Sequence, residues 1–209
     1  MAKEAGGQIT KESGLDMERL NKQIEFIVEI DKLKHILRQT LLIDKSRREN
    51  DAEHSWHLAM MAMILKEYAA GDIDLERVMK MVLIHDIVEI DAGDTFAYDE
   101  DANADKEERE LEAAERIFSL LPEDQGNEIR ALWDEFEEGE TADALFAASM
   151  DRLQPLIHNH FTSGHTWAGA IRKDQVIARM SKVKKGAPAL WQIVQKIVDE
   201  NVEKGLLKV

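Results

Sequence analysis

The sequence has no cysteine in its 209 residues. Disulfide bonds, thiolate nucleophiles and cysteine-based zinc or iron–sulfur sites are therefore excluded. Long apolar segments are also missing, because the longest uninterrupted run, Leu58 to Leu65, is too short to cross a bilayer. The first residues are polar and do not resemble a signal peptide. We therefore expect a cytoplasmic protein.

Positive charge is scarce as well. There are 27 Lys and Arg residues against 42 Asp and Glu residues, for a formal net charge of −15. This balance argues against a nucleic-acid polymer or an anionic membrane as the main partner. A small anion could still bind in a locally positive pocket, and a metal ion can supply such positive charge.

Most of the chain shows helical periodicity. Apolar residues recur at spacings of three and four, as in Leu58, Met61, Ile64 and Leu65, and no segment alternates clearly enough to predict a strand. We expect a flexible tail over residues 1–15 and one all-α domain over residues 16–209. The predicted helices lie near 17–39, 52–70, 74–90, 105–121, 123–137, 141–162, 171–184 and 187–204.

The segment LIHDIVEIDAGD places charged residues directly after an apolar run. On a helix, His85 and Asp86 can both reach an ion that lies between their two directions. Glu89 returns to the same face one turn later. Asp94 follows just past the predicted helix end. This segment therefore offers two candidate metal ligands with further carboxylates beside them.

Two other segments can complete such a site. The segment AEHSWH provides His54, and ASMDRLQP places Asp151 in the middle of an apolar helix. A buried unpaired aspartate is costly, and we expect Arg152 to point elsewhere. A cation shared with His54, His85 and Asp86 would satisfy Asp151. Two imidazoles and two carboxylates suit Mn, Fe, Co, Ni or Zn better than Ca.

Three separated segments, with His54, His85–Asp86 and Asp151 in this order, resemble the HD-domain superfamily of metal-dependent phosphohydrolases. The closer resemblance is to the HD-domain 5′-deoxynucleotidases. It is carried by the segments ENDAEHSWHLAMMAMIL, LIHDIVEIDAGD and ASMDRLQP and extends over roughly residues 20–185. The resemblance implies a single-domain HD-type helical bundle. It also implies one divalent transition metal ion, with those four residues as ligands and water in the open positions.

The resemblance also implies roles for three further residues. Glu89 matches a glutamate beside the metal that positions or deprotonates the attacking water, or assists the leaving group. Asp94 matches an aspartate that holds the sugar hydroxyl. Arg38 lies where a family arginine contacts the phosphate, although the tryptophan that follows this arginine in the family is Gln39 here.

The implied function is hydrolysis of a small phosphorylated nucleotide, namely a deoxynucleoside 5′-monophosphate, by a homodimer. An enzymatic alternative is an HD hydrolase of another phosphoester, such as a cyclic dinucleotide or an alarmone. HDIVEI lacks the Gly-Lys pair that follows HD in the cyclic-dinucleotide branch. A third reading is a non-enzymatic helical binding module in which the metal is only structural.

Several other polar residues have two readings each. Arg47 and Arg48 are either substrate contacts or a surface pair. Glu53 either supports a ligand histidine or is solvated, and His57 has a supporting or packing role. His158, His160 and His165 do not look like a second metal site, since the first two would lie on different helix faces.

The methionine-rich run MMAMIL indicates core packing.

Overall fold

The computed structural model of this chain describes residues 16–99 and 101–209, so the predicted tail over residues 1–15 lies outside the described residues. The described part is helical apart from one hairpin, as the all-α prediction requires. The helices are α1 (Met17–Ile30), α2 (Asp51–Leu65), α3 (Leu75–Ile84), α4 (Glu89–Ala92), α5 (Lys106–Phe118), α6 (Glu123–Glu138), α7 (Ala142–Phe161), α8 (Lys173–Arg179), α9 (Ser181–Gly186) and α10 (Trp191–Glu203).

Three helices, α2, α3 and α7, pack against one another and form the centre of the main core. Leu58, Val82 and Phe146, one from each helix, are completely buried there. The starts of these helices are fixed by side-chain caps. Asn50 forms a capping box with Glu53, while Asp74 and Thr141 cap α3 and α7.

A second apolar cluster lies between α1, α4, α5 and α6. It includes Phe26, Ile117 and Trp133, and Ile84 at the end of α3 packs against both clusters. Trp133 also donates a hydrogen bond from Nε1 to the carbonyl oxygen of His85, at 3.1 Å. The end of α3 is therefore held between the two clusters, which fixes the direction of the residues that follow it.

The prediction of one helix over residues 17–39 and of no sheet was wrong. The α1 helix ends at Ile30 and is followed by a 3-10 turn, Asp31–His35. The chain then forms β1 (Leu37–Leu41), which pairs antiparallel with β2 (Arg48–Asn50). The strands are too short to show alternation in the sequence. Their hairpin is held by the side chain of Arg48, which donates to the carbonyl oxygens of Leu37 and Arg38.

The helix predicted over residues 74–90 is also interrupted. The chain turns at residues 85–88 before α4 begins. The amide of Ile87 bonds the carbonyl of Ile84, a tighter spacing than in an α-helix. His85 and Asp86 thus lie on a turn and not in a helix interior.

The predicted helix over residues 171–184 is divided into α8 and α9, and α9 packs closely on α7. Gly186 permits this contact, because a Cβ built there would lie 2.2 Å from the backbone oxygen of Leu145. Ser149 adds a hydrogen bond to the carbonyl oxygen of Lys182, at 3.2 Å. The backbone of α9 is therefore fixed directly against α7.

The interpretation of MMAMIL as core was only partly correct. Met61 and Ala62 are buried, whereas Trp56, Met60, Met63 and Ile64 are exposed by 63%, 36%, 52% and 67%. These four recur along one face of α2, so this helix is apolar on its outer side as well. None of the helices within residues 16–99 and 101–209 has the length and hydropathy that a membrane span requires.

Candidate metal centre

Four predicted ligands, His54, His85, Asp86 and Asp151, meet in the interior of the molecule. His54 Nε2 lies 3.0 Å from Asp151 Oδ1, and His85 Nε2 lies 3.1 Å from Asp86 Oδ1 and 3.6 Å from Asp151 Oδ1. His54 is completely buried, and the other three are exposed by 5–8%. The helix α2, the turn after α3, and α7 thus each contribute to one small cluster.

The imidazole of His85 is oriented as a ligand would be. Its Nδ1–H donates to the carbonyl oxygen of Val82 at 3.0 Å, which leaves Nε2 directed toward the carboxylates. This Nε2 is buried without a hydrogen-bond partner. A backbone carbonyl that fixes the other ring nitrogen is the usual support of a metal-bound histidine. The donor set and its orphaned nitrogen therefore fit a divalent cation.

The charges in this cluster balance only in part. Burial would raise the pKa of Asp151, but Arg152, His54 and His85 lower it well below its usual range. Burial also lowers the pKa of His85, yet Asp86 and Asp151 outweigh it and raise that pKa to about 9. The carboxylates therefore favour positive charge at His85, which a divalent cation can replace.

The expectation that Arg152 points away from Asp151 was wrong. Arg152 Nη1 donates to Asp151 Oδ2 at 2.6 Å. The long arginine side chain folds back along α7, so adjacency in sequence does not prevent the contact. One oxygen of Asp151 thus faces the two histidines, while the other is held by Arg152.

Glu89 lies in a second acidic group beside the four residues. Carboxylate oxygens of Glu89, Asp86 and Asp51 lie within 4.8 Å of one another, and all three residues are buried. Burial, together with Asp86 and Asp51, raises the pKa of Glu89 well above its usual value. One oxygen of Glu89 has no hydrogen-bond partner within the described residues, so it can act on a group that enters the pocket.

Arg38 is drawn inward by these carboxylates. Its Nη1 donates to Asp86 Oδ2 at 2.7 Å and to Asp51 Oδ1 at 3.2 Å. The hairpin that carries Arg38 therefore closes one side of the cluster. Arg38 still lines the pocket that opens above the four residues, as do Gln39 and Asp94.

Asp94 follows Gly93, whose φ of +75° ends α4 with a sharp change of direction. Burial raises the pKa of Asp94, although Arg38 opposes this shift. The loop that continues from Asp94 to Tyr98 lines the pocket. The structure thus places Arg38, Glu89 and Asp94 around one cavity with His85, Asp86 and Asp151.

The remaining polar residues have local roles. Glu53 supports no ligand histidine, since it forms an ion pair with Arg47 and completes the cap of α2. Neither Arg47 nor Arg48 lines the pocket above the four residues.

Two of the other histidines meet across helices. The ring centroids of His57 and His158 lie 5.5 Å apart with the rings tilted by 50°, and both rings contact the amide of Gln154. His160 instead contacts Asn201, which agrees with the prediction that His158 and His160 face different directions.

Sequence reasoning missed several residues in and around this pocket. Asp51 gave only the signal of an acidic residue in the first turn of a helix, which is common for electrostatic reasons alone. Glu49, buried beside Arg38 and His54, lies on a strand that was not predicted. Lys106, Arg179 and Lys182 also line the cavity, and each has the pattern of an ordinary solvated helix cation.

This chain is similar to several known proteins. A family model described as HD domain matches residues 30–191. The 5′-deoxynucleotidase HDDC2 of Homo sapiens is 30% identical over 135 residues, which is 64% of this chain and 65% of that protein. The corresponding protein of Danio rerio is 28% identical over 142 residues, 68% of this chain and 70% of that protein. The matches thus span about two thirds of these relatives.

Two solved structures share the fold. A chain from Magnetospirillum magnetotacticum MS-1, described as a predicted metal-dependent phosphohydrolase, is 55% identical with a TM-score of 0.89. The match covers 93% of this chain and 98% of that one. An HD-domain phosphohydrolase from Listeria innocua has a TM-score of 0.58 at 17% identity, with 87% and 92% covered, and this likeness shows the fold alone.

Removal of metal should lower the stability of the protein. An ion that binds only the folded chain at 100 times its Kd stabilises it by about 2.7 kcal/mol. We expect a chelator to lower the Tm of the metal-loaded protein, and Mn²⁺ or Zn²⁺ to restore it. Asp151→Ala should abolish this response, while Asp72→Ala, an exposed control, should keep it. An undiminished response in Asp151→Ala would contradict a metal held by the four residues.

Proposed function

Because this chain belongs to the HD-domain family, we propose that it is a metal-dependent phosphomonoesterase that hydrolyses small nucleotides. Its substrates would be deoxynucleoside 5′-monophosphates, and its products a deoxynucleoside and phosphate. The observation that carries this proposal is the convergence of His54, His85, Asp86 and Asp151 in a buried cluster at the base of a pocket. The names of the relatives support the nucleotide and the sugar.

In this proposal the four residues hold one divalent ion, which can be Mn, Co, Fe, Ni or Zn. Such an ion lowers the pKa of a bound water and offsets charge on a phosphoryl oxygen. His85 contributes Nε2, since its Nδ1–H is committed to Val82. Arg152 keeps Asp151 ionised and oriented by holding its second oxygen. Protein ligands at four positions leave room for water and substrate.

Glu89 would transfer the protons. During hydrolysis, a water oxygen bonds to phosphorus, the bond from phosphorus to the 5′ oxygen breaks, and that oxygen takes up a proton. Burial and the neighbouring Asp86 and Asp51 favour the protonated form of Glu89, which suits donation to the leaving oxygen. Positive charge at the metal centre favours the ionised form, which suits acceptance of the proton of the water.

Arg38 and Asp94 would bind the substrate. Both line the pocket, and an arginine can fork onto phosphate oxygens. Asp94 would accept a hydrogen bond from the sugar hydroxyl. Gln39 follows Arg38 and lines the same cavity, where it offers an amide in place of an aromatic ring.

A homodimer and a cytoplasmic location complete the proposal. The support for the dimer is the outer face of α2, where Trp56, Met60, Met63 and Ile64 are exposed at helical spacing. A helix that is apolar on every side is usually buried on every side. This face would therefore be covered by a second copy of the chain.

The first test of function separates binding from chemistry at Glu89. We expect Glu89→Ala to retain the metal, because Glu89 is outside the four ligands, and to lose about 10²–10⁴-fold in turnover. Asp86→Ala should lose metal and turnover together, and Glu67→Ala, an exposed control, should change neither. Metal content by elemental analysis and phosphate release from a nucleotide panel measure both. Wild-type turnover in Glu89→Ala would contradict its role, and loss of the metal would make it a ligand.

The second test concerns the sugar. Deoxynucleoside 5′-monophosphates should be hydrolysed with a higher kcat/KM than the matching ribonucleotides, because Asp94 would lie against the sugar. Asp94→Ala should reduce this preference while the metal is retained. Equal kcat/KM for both sugars would refute the assignment. Release of phosphate only from other phosphoesters would favour a different HD hydrolase, and no release with any metal would favour the structural-metal module.

The third test concerns the dimer. The chain has a mass of 23.8 kDa, and light scattering should give twice this value. Trp56→Glu should produce monomers, because it places a charge within the covered apolar face. Leu111→Glu changes a similarly exposed apolar residue on α5 and serves as the control. A monomeric wild-type protein, or a dimer unaffected by Trp56→Glu, would count against this interface.

A further inference from the structure

The pocket above the metal centre contains more positive charge than one phosphate requires. Arg38, Lys106, Arg152, Arg179 and Lys182 all line it, in a chain whose formal net charge is −15. They come from five different elements, since β1, α5, α7, α8 and α9 contribute one each. Folding therefore gathers scarce cations at one place.

Three of these cations already have carboxylate partners. Arg38 contacts Asp86 and Asp51, Lys106 lies 3.2 Å from Glu110, and Arg152 holds Asp151. Arg179 and Lys182 differ from them. Within residues 16–99 and 101–209, neither side chain forms a hydrogen bond or ion pair with a carboxylate.

The surroundings of Arg179 and Lys182 disfavour their charge. Burial and the nearby Arg152 lower the pKa of Arg179 to about 10. Burial and the same Arg152 lower the pKa of Lys182. Partly buried cations that repel one another carry a cost that a bound anion would offset. Glu137 and Asp151 act on Lys182 only at longer range, without a direct contact.

Lys182 lies on a helix whose backbone is fixed close to α7. Gly186 brings α9 onto α7, which carries Arg152 and Asp151. Tyr98, from the loop over the pocket, lies near enough to Arg179 and Arg152 for their charges to affect its pKa. The cations thus line the same cavity as the metal centre.

We propose that Arg179 and Lys182, assisted by Arg152, form a second anion subsite that binds an additional phosphoryl group of a nucleotide whose 5′-phosphate lies at the metal centre. This subsite rests on the proposed function for the position of that first phosphate. Guanidinium and ammonium donors suit phosphate oxygens. The additional group can be the second phosphate of a 5′-diphosphate or the 3′-phosphate of a bisphosphate.

Equilibrium binding tests the subsite without turnover. Calorimetry on the Mn²⁺-loaded Glu89→Gln protein would compare deoxyadenosine 5′-monophosphate, its 5′-diphosphate and its 3′,5′-bisphosphate. We expect one of the doubly phosphorylated ligands to bind about tenfold tighter or more, as charge-assisted hydrogen bonds allow. The ligand that gains identifies the position of the additional group.

Substitutions made in the Glu89→Gln protein show which residues provide the higher affinity for the doubly phosphorylated ligand. Arg179→Gln and Lys182→Gln should each remove most of the advantage and leave the Kd of the monophosphate within about twofold. Arg179→Lys, which keeps the charge, should restore part of it. Lys185→Gln removes an exposed charge from the same helix and should have no effect. The Tm of each variant shows that it is folded.

Several results would overturn the subsite. Equal affinity for all three ligands would do so, as would equal losses in Lys185→Gln. A loss of monophosphate binding as large as the loss of diphosphate binding would place these cations on the first phosphate. If the wild-type protein neither binds nor hydrolyses the monophosphate, the proposed function fails. In that case, pyrophosphate binding that is abolished by Arg179→Gln would still support the anion subsite. If the protein does not bind pyrophosphate either, the proposed function and the subsite are both refuted.

Discussion

The contact of Asp151 with two histidines is the interaction on which the rest of this structure depends. A carboxylate on α7 meets one imidazole from α2 and another from the turn after α3, so the three central helices share one polar point inside an apolar core. Buried charges of this kind require partners. Arg152 supplies one partner from within the protein, and a divalent ion would supply the other. The apolar packing of the three helices and the contacts of Asp151 with the two histidines therefore require the same distances between these helices.

In the surrounding pocket, acidic and basic side chains lie on different sides, although the chain as a whole has many more acidic residues than basic ones. Asp51, Asp86 and Glu89 gather on the side of α4 and the hairpin, where Arg38 compensates them only in part. Arg152, Arg179 and Lys182 come from α7, α8 and α9. A nucleotide with its metal has both signs as well, because its phosphates are negative and the ion is positive. The pocket thus provides complementary charge for each part of such a ligand.

Sequence reasoning identified the four residues that meet in this cluster through two signals. His85–Asp86 and Asp151 follow or interrupt apolar runs, and the order and separation of the three segments resemble those of one family. Asp51 and Arg179 sit where charged residues are common on any helix, so only tertiary packing separates them from solvated ones. The hairpin escaped prediction because its strands are too short for alternation to appear. In the turn at residues 85–88, the carbonyl oxygen of His85 accepts a hydrogen bond from the distant Trp133, and no local sequence pattern contains that contact.

Gly186 has a consequence for how proteins with this architecture can diverge. Any side chain at this position would meet the backbone of Leu145, so the distance between α9 and α7 cannot be adjusted in small steps. The contact between α9, which carries Lys182, and α7, which carries Asp151, therefore requires glycine at residue 186. Variation in ligand preference would accumulate as exchanges on α8 and α9, with the helices themselves unmoved. With this backbone contact fixed, substitutions could change the ligand specificity while the geometry of the metal centre stays the same.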